Sequence, residues 1–123
     1  MKLELQVTSL SLSKKLKELG IKQESYFVYC EYRGDVNLWK NDSLIADEWK
    51  KTAAFTFAEL WEILPKFISG YGHLILQGEG SGTYLYYADH KEKPYIGNMA
   101  NQNITDIAAR MIIYLIENKL WKI

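Results

Sequence analysis

The segment that most constrains the fold is a run of six apolar residues, 111–116, inside a helix predicted over residues 104–121. Consecutive residues of a helix lie about 100° apart around its axis, so this run points apolar side chains in every direction. A helix of this kind has to be covered on more than one side. We therefore expect the C-terminal helix to lie at the centre of the fold or in a subunit interface.

The composition is that of one ordinary globular domain, which we expect to span residues 1–123. Apolar residues make up 48% of the chain and charged residues 24%, which argues against a disordered or fibrous protein. The 15 basic and 15 acidic residues cancel, whereas nucleic-acid binders usually carry a net positive charge. No apolar stretch of the sequence suits a signal peptide or a membrane span. We expect a cytoplasmic protein without membrane contact, and nucleic acid is an unfavoured partner.

Two further segments carry the signals of helices. Residues 9–19 place three leucines at the spacing i, i+4 and i+7, with a threonine or serine as a cap at the start and Gly20 after the end. Thr56 and Glu59 have the spacing of a capping box, in which each side chain bonds the backbone amide of the other residue. The second helix therefore begins at Thr56, and Pro65 predicts its end or a kink.

Aromatic-rich segments predict two β-hairpins. The first joins residues 25–33 to 36–40 across Gly34-Asp35, and the second joins residues 72–78 to 83–89 across a glycine-rich turn. We expect irregular structure in the two remaining segments, with a loop or short helix over residues 41–52 and a polar loop over 91–102.

The order of elements is helix, hairpin, helix, hairpin, helix. Hairpins give antiparallel strands, and helices inserted between them are expected to gather on one sheet face. The sequence thus predicts an α+β fold. Two antiparallel hairpins form a sheet of about four strands, packed against three helices with the C-terminal helix central.

Aromatic side chains are the unusual chemical resource of this chain, at 14% of residues including nine tyrosines. If one sheet face lies open, its tyrosines would suit a protein partner, a sugar or stacked bases. The alternative is that these rings fill the core, because tyrosine fits a half-buried strand. Ile113 lies on the polar edge of the last helix, so we expect a loop or a partner subunit to cover it. The residues predicted for an interaction surface are Tyr29, Trp39, Tyr84, Tyr86 and Ile113.

Residues that would support catalysis or hold a metal are few. A turn centred on residues 80–81 places His73 and His90 on one face of the second hairpin, about 7–8 Å apart. Together with Asp89 or Glu92 they would form a metal site. A turn shifted by one residue separates the rings, and surface histidines without a ligand role are far commoner. We therefore predict no catalytic residues, no cofactor and no metal.

Three segments resemble a known family. They are residues 8–25, residues 55–60 with the Leu64-Pro65 ending, and residues 109–120. Together they are similar to a family of small uncharacterised proteins encoded in bacteriophages, prophages and other mobile elements of bacteria. The resemblance covers the helical segments, about half of the chain, and brings no activity or binding residues with it. It implies a bacterial or phage setting in the cytoplasm of the host.

We expect a non-catalytic accessory or regulatory protein of a mobile element that contacts another protein, with a homodimer through the C-terminal helix as a further possibility. Two alternatives stay open. A small metal-dependent hydrolase would use His73 and His90. A nucleic-acid binder would need its lysine cluster on the same face as the exposed tyrosines. That cluster consists of Lys14, Lys15, Lys17 and Lys22.

Overall fold

The computed structural model describes residues 3, 6–42, 48–79, 82–88, 96–98 and 103–122. These residues form an α+β fold of three helices and two antiparallel sheets, so the predicted fold class is confirmed. The elements in chain order are α1 (Leu10–Glu18), β1 (Phe27–Tyr32), β2 (Asp35–Lys40), β3 (Lys50–Ala54), α2 (Phe57–Ile63), β4 (Phe67–Ile68), β5 (Gly72–Glu79), β6 (Gly82–Ala88), β7 (Ile96–Asn98) and α3 (Ile104–Glu117).

The strands form two separate sheets. Sheet 1 has the strand order β2-β1-β3, and sheet 2 has the order β4-β5-β6-β7, in which β4 is only two residues long. Both predicted hairpins are present, but the prediction that they share one sheet was wrong. Strands from the two segments expected to be irregular take the neighbouring positions: β3 pairs with β1, and β7 pairs with β6. Because β1 and β6 then have a strand on either side, they cannot pair with each other.

The two hairpins have defined registers. Arg33 and Gly34 are the central residues of the first turn, with φ values of 51° and 85°, the positive values that a tight type I′ turn requires. The sequence placed this turn one residue too late. In the second hairpin His73 lies opposite Ala88, as predicted. His90 lies outside the described residues, so its position relative to His73 stays a prediction.

The predicted helix starts are confirmed by their hydrogen bonds. The Thr56 hydroxyl accepts from the Glu59 amide at 3.3 Å, and the Glu59 carboxylate accepts from the Thr56 amide at 3.0 Å. Ser9 caps α1 and Asn103 caps α3, in both cases through a side-chain oxygen. Each cap satisfies a backbone amide that has no partner inside its own helix.

The C-terminal helix is shorter than predicted because it ends at Glu117. Lys119 has a φ of 58°, which is the left-handed region. Its amide donates to the Ile116 carbonyl at 3.1 Å, and the Leu120 amide donates to the Leu115 carbonyl at 2.9 Å. These two bonds are the Schellman motif, which closes a helix by turning the chain away from its axis.

The core is built around α3, which contacts α1, α2 and β6. Its inward side chains are at most 1% exposed, namely Ile107, Met111, Ile112 and Leu115. At 100° per residue the buried positions of α3 cover about 200° of its circumference. The exposed strip carries Arg110, Tyr114 and Glu117. The prediction of a helix covered on more than one side is confirmed. Within the described part of the chain no helix has the length and apolarity to span a membrane.

Candidate functional site

Successive side chains of β1 point to opposite faces of sheet 1. One face is covered by α1 and by the chain that leads into it. On that face the Lys14 ammonium of α1 lies 3.1 Å from the Glu31 carboxylate, and Tyr29 packs against Val7. The opposite face carries the candidate site.

Tyr29, one of the predicted surface residues, is buried on the covered face and is only 8% exposed. Its hydroxyl donates to the Thr8 carbonyl at 2.7 Å. The Thr8 hydroxyl lies 2.6 Å from the Ser13 hydroxyl and accepts from the Phe55 amide at 3.1 Å. Tyr29 therefore joins a buried polar network that fixes the N-terminal segment to sheet 1, and its prediction as a surface residue was wrong.

The opposite face carries three aromatic side chains in contact, here called the aromatic patch: Tyr32, Trp39 and Trp49. The Trp49 ring lies 5.7 Å from the Trp39 ring in an edge-to-face arrangement and 6.0 Å from the Tyr32 ring. Trp49 packs over Val28 and Cys30, which are both buried. Tyr32 is 41% exposed and Trp39 is 44% exposed. The patch thus presents partly exposed rings that are held by each other and by a buried floor.

Two basic side chains, Arg33 and Lys51, lie beside the patch. The Arg33 guanidinium lies 5.2 Å from the centre of the Tyr32 ring, within the range of a cation–π contact. Lys51 lies opposite Cys30 in the pairing of β3 with β1. Burial raises the pKa of the Cys30 thiol, and the charge of Lys51 opposes this by a smaller amount. The thiol is therefore protonated at neutral pH and is a packing group beneath the patch.

A cleft of about 250 Å³ opens beside Val28 on sheet 1. Its lining residues are Gln23, Ser25, Val28, Asn41, Lys51 and Ala53. A second depression of about 410 Å³ lies at the N-terminal end of β1 and includes Glu59 and Glu62. The Glu59 carboxylate is already engaged, because it belongs to the capping box and also accepts from the Tyr26 amide at 3.1 Å.

The lysine cluster is engaged away from the aromatic patch. Three of its lysines form ion pairs: Lys14 with Glu31, Lys15 with Glu117, and Lys22 with Glu24. The fourth, Lys17, donates to the Lys51 carbonyl at 2.6 Å. The helix that carries three of these lysines covers the other face of sheet 1.

The predicted tyrosines of sheet 2 lie on the face that does not hold the core. Tyr84 and Tyr86 are half-buried and share this face, since they are two residues apart on β6. The Tyr86 hydroxyl donates to the Gln77 side chain at 2.6 Å. The His73 and Phe67 rings are in contact, with their centres 4.9 Å apart and their planes tilted by 57°. The structure therefore brings Tyr84 and Tyr86 together, but Trp39 belongs to the other sheet.

Tyr87 points the opposite way from Tyr86 and is fully buried in the core. Its hydroxyl donates to the Pro65 carbonyl at 2.7 Å, and burial raises its pKa far above the usual value. Ile113 is half-buried and packs against the same core. The neighbours that cover Ile113 thus include core residues of its own chain.

Sequence reasoning left two members of the aromatic patch out of the interaction surface, Tyr32 and Trp49. Trp49 lay in a segment expected to be a loop or short helix. It stands directly before β3, and the pairing of β3 with β1 carries its ring to Tyr32. The usable signal was the alternation of Val28, Cys30 and Tyr32, which places them on the face opposite Tyr29.

Among the residues that the structure describes, no group of three or more His, Cys, Asp and Glu side chains is placed to hold a metal ion. Asp89, His90 and Glu92 lie outside those residues, so the predicted alternative of a metal site with His73 is not tested. Comparisons of the chain with protein-family models, curated proteins and solved structures find no match.

Proposed function

We propose that this protein binds another protein through the aromatic patch and acts without catalysis, as an accessory or regulatory protein of a phage or other mobile element. The observation that carries the proposal is the position of Tyr32, Trp39 and Trp49 on the face of sheet 1 opposite α1. The mobile-element setting rests on the resemblance of the helical segments to such proteins.

The chemistry of the patch supports a protein partner. Tryptophan, tyrosine and arginine are the residues that contribute most to binding energy at protein interfaces, and here Arg33 lies beside Tyr32. The edge-to-face contact of Trp39 with Trp49 restrains both rings before a partner arrives, which lowers the entropic cost of binding. The indole N–H and the phenol hydroxyl can each donate to a partner's backbone carbonyl.

Charge favours a protein over a nucleic acid as the partner. A nucleic-acid binder gains most of its affinity from cations that contact phosphates. The lysines of α1 lie on the covered side of sheet 1, where Lys14 pairs with Glu31 and Lys15 with Glu117. The whole chain has no net charge. Bases stacked on the patch would have Arg33 and Lys51 nearby, but not the lysines of α1.

Affinity capture from a bacterial lysate tests the proposal, with tagged wild-type protein, Trp39→Ala and Tyr114→Ala. Tyr114 is a matched control because it is 46% exposed, close to the 44% of Trp39, and lies on α3. We expect a set of proteins that survives nuclease treatment, is captured by wild type and Tyr114→Ala, and is lost with Trp39→Ala. Loss of every partner after nuclease would instead favour a nucleic-acid binder. If all three proteins captured the same partners equally well, the aromatic patch would not be the binding surface.

A further inference from the structure

The two outer edges of sheet 1 differ in how their backbone groups are satisfied. On the β3 edge the Ala53 amide donates to the Gln23 side chain at 2.8 Å, and the Lys51 carbonyl accepts from the Lys17 ammonium at 2.6 Å. Side chains therefore close this edge. Closing an edge in this way prevents another strand from adding to the sheet.

Within the described part of the chain, the β2 edge has no such closure. The two-residue turn and the bond from the Asn41 amide to the Tyr26 carbonyl, at 2.8 Å, fix which residues of β2 bond to β1. Asp35, Asn37 and Trp39 point their backbone groups inward, so the intervening residues of β2 point theirs outward. Among the described residues, no hydrogen bond is formed by the outward backbone groups of Val36, Leu38 and Lys40. Such a row of free donors and acceptors is a template for another strand.

The side chains of β2 make the strand complementary to itself. Asp35 lies at its start and Lys40 at its end, so an antiparallel copy brings the opposite charges of the two strand ends near each other, with the two side chains on opposite faces of the sheet. A parallel copy would place like charges side by side. Val36 is 45% exposed on one face of the strand, and Trp39 is 44% exposed on the other. A neighbouring strand would cover apolar surface on both faces at once.

We propose that a second copy of this chain pairs antiparallel along the outer edge of β2, with Leu38 on the twofold axis. The outward residues then pair with each other, Leu38 with Leu38 and Val36 with Lys40 of the second copy. The two copies of sheet 1 become one six-stranded sheet, and their aromatic patches lie on the same face of it. The proposal does not depend on the proposed function, because the pairing uses backbone groups outside the patch.

The exposed part of α3 is a less suitable surface for a second copy. It carries Arg110, Tyr114 and Glu117, whereas Ile113 is half-buried in its own chain. A stable twofold contact between helices needs an apolar stripe. The β2 edge offers both apolar side chains and a row of backbone groups that point outward from sheet 1.

Two substitutions of Val36 distinguish a dimer formed along β2 from a dimer formed through another surface. Val36→Lys places a lysine opposite Lys40 of the second copy, and the twofold axis repeats the repulsion. Val36→Asp places an acid opposite the same lysine. By light scattering over a concentration series, we expect wild type to approach twice 14.3 kDa. Val36→Lys should weaken the dimer by about tenfold or more, while Val36→Asp keeps it. Far-ultraviolet circular dichroism confirms that both variants are folded.

Amide hydrogen exchange tests the proposed dimer independently and uses only the wild-type chain. The amides of Asn37 and Trp39 bond to β1 and should be protected at every concentration. The amides of Val36, Leu38 and Lys40 should gain protection only as the dimer forms. A mass of 14.3 kDa at every concentration up to about 1 mM overturns the proposal, since the dissociation constant of the dimer would then lie above that value. A dimer that both variants retain, or one in which these three amides stay unprotected, overturns it as well.

Discussion

The C-terminal helix and the β1–β2 hairpin both carry runs of apolar and aromatic side chains, but the helix is covered over about 200° of its circumference, whereas the hairpin keeps two large rings exposed on one face. Ile107 and Ile112 of α3 are fully buried between α1, α2 and β6, whereas Trp39 of β2 remains 44% exposed. The difference lies in the neighbours. Two helices and a sheet pack against more than half of the circumference of α3, while α1 covers only one face of sheet 1. The apolar content of a segment therefore does not decide its burial, and the same kind of residue stabilises the fold in one region and remains available for binding in the other.

The largest expected difference between the two regions is the cost of removing an apolar side chain. Ile112→Ala should lower the free energy of unfolding by about 3 kcal/mol, because it removes a fully buried side chain and leaves a cavity in a close-packed core. Trp39→Ala should cost no more than about 1 kcal/mol, since the indole already contacts water. Urea denaturation followed by circular dichroism measures both values. Equal losses would show that the hairpin is as enclosed as the helix.

Two tyrosines of β1 sharpen the comparison within one strand. Tyr29→Phe removes the hydroxyl that donates to the buried Thr8 carbonyl at 2.7 Å and leaves this acceptor only the longer 3.4 Å bond from the Ser13 hydroxyl, which should cost about 1.5 kcal/mol. Tyr32→Phe removes a hydroxyl from a 41% exposed ring and should change stability by less than about 0.5 kcal/mol. Thermal unfolding of the two variants under identical conditions provides the test. A larger loss for Tyr32→Phe would reverse the assignment of the covered and open faces.

A smaller effect is expected on the covered face at Thr52, which lies opposite Tyr29 on β3. Thr52 is 1% exposed, and its hydroxyl has no hydrogen-bond partner among the described residues. Thr52→Val replaces this hydroxyl by a methyl group of similar size and should raise the free energy of unfolding by about 1 kcal/mol. Thr52→Ser keeps a hydroxyl and loses a methyl group, so it should destabilise. If Thr52→Val also lowered the free energy of unfolding, the Thr52 hydroxyl would have to form a hydrogen bond in the folded protein.

Local signals in the sequence were sufficient for the helices and the hairpins. A capping box such as Thr56 with Glu59 involves residues three apart, and the register of a hairpin follows from its turn. The added strands were beyond this kind of reasoning. β3 has the sequence of a charged loop, and it becomes a strand because β1 offers it a free edge. The aromatic patch depends on this pairing, since Trp49 reaches Tyr32 only when β3 lies beside β1.

The sequence also did not show which face of a strand is covered and which lies open. The alternation of β1 separates Tyr29 from Val28 and Cys30, but both sets are apolar, and both are buried. The sequence therefore could not identify the face that α1 covers. The ion pair between Lys14 and Glu31 shows it, and two residues so far apart along the chain give no local pattern. Fold class and element type could thus be predicted, while the site required tertiary contacts.

The smallest predicted effect lies at the end of the enclosed region, where α3 and α1 stop in the same way with different residues. Gly20 follows α1 with a φ of 95°, and Lys119 follows α3 with a φ of 58°. A side chain strains the backbone in this region, but glycine has more freedom to lose on folding, so the two terms partly cancel. Lys119→Gly should therefore raise the free energy of unfolding by about 0.5 kcal/mol, and Gly20→Lys should lower it by a similar amount. Urea titrations of both variants measure the two changes in the free energy of unfolding. A destabilising Lys119→Gly would mean that the lysine side chain contributes more to closing α3 than its strained backbone costs.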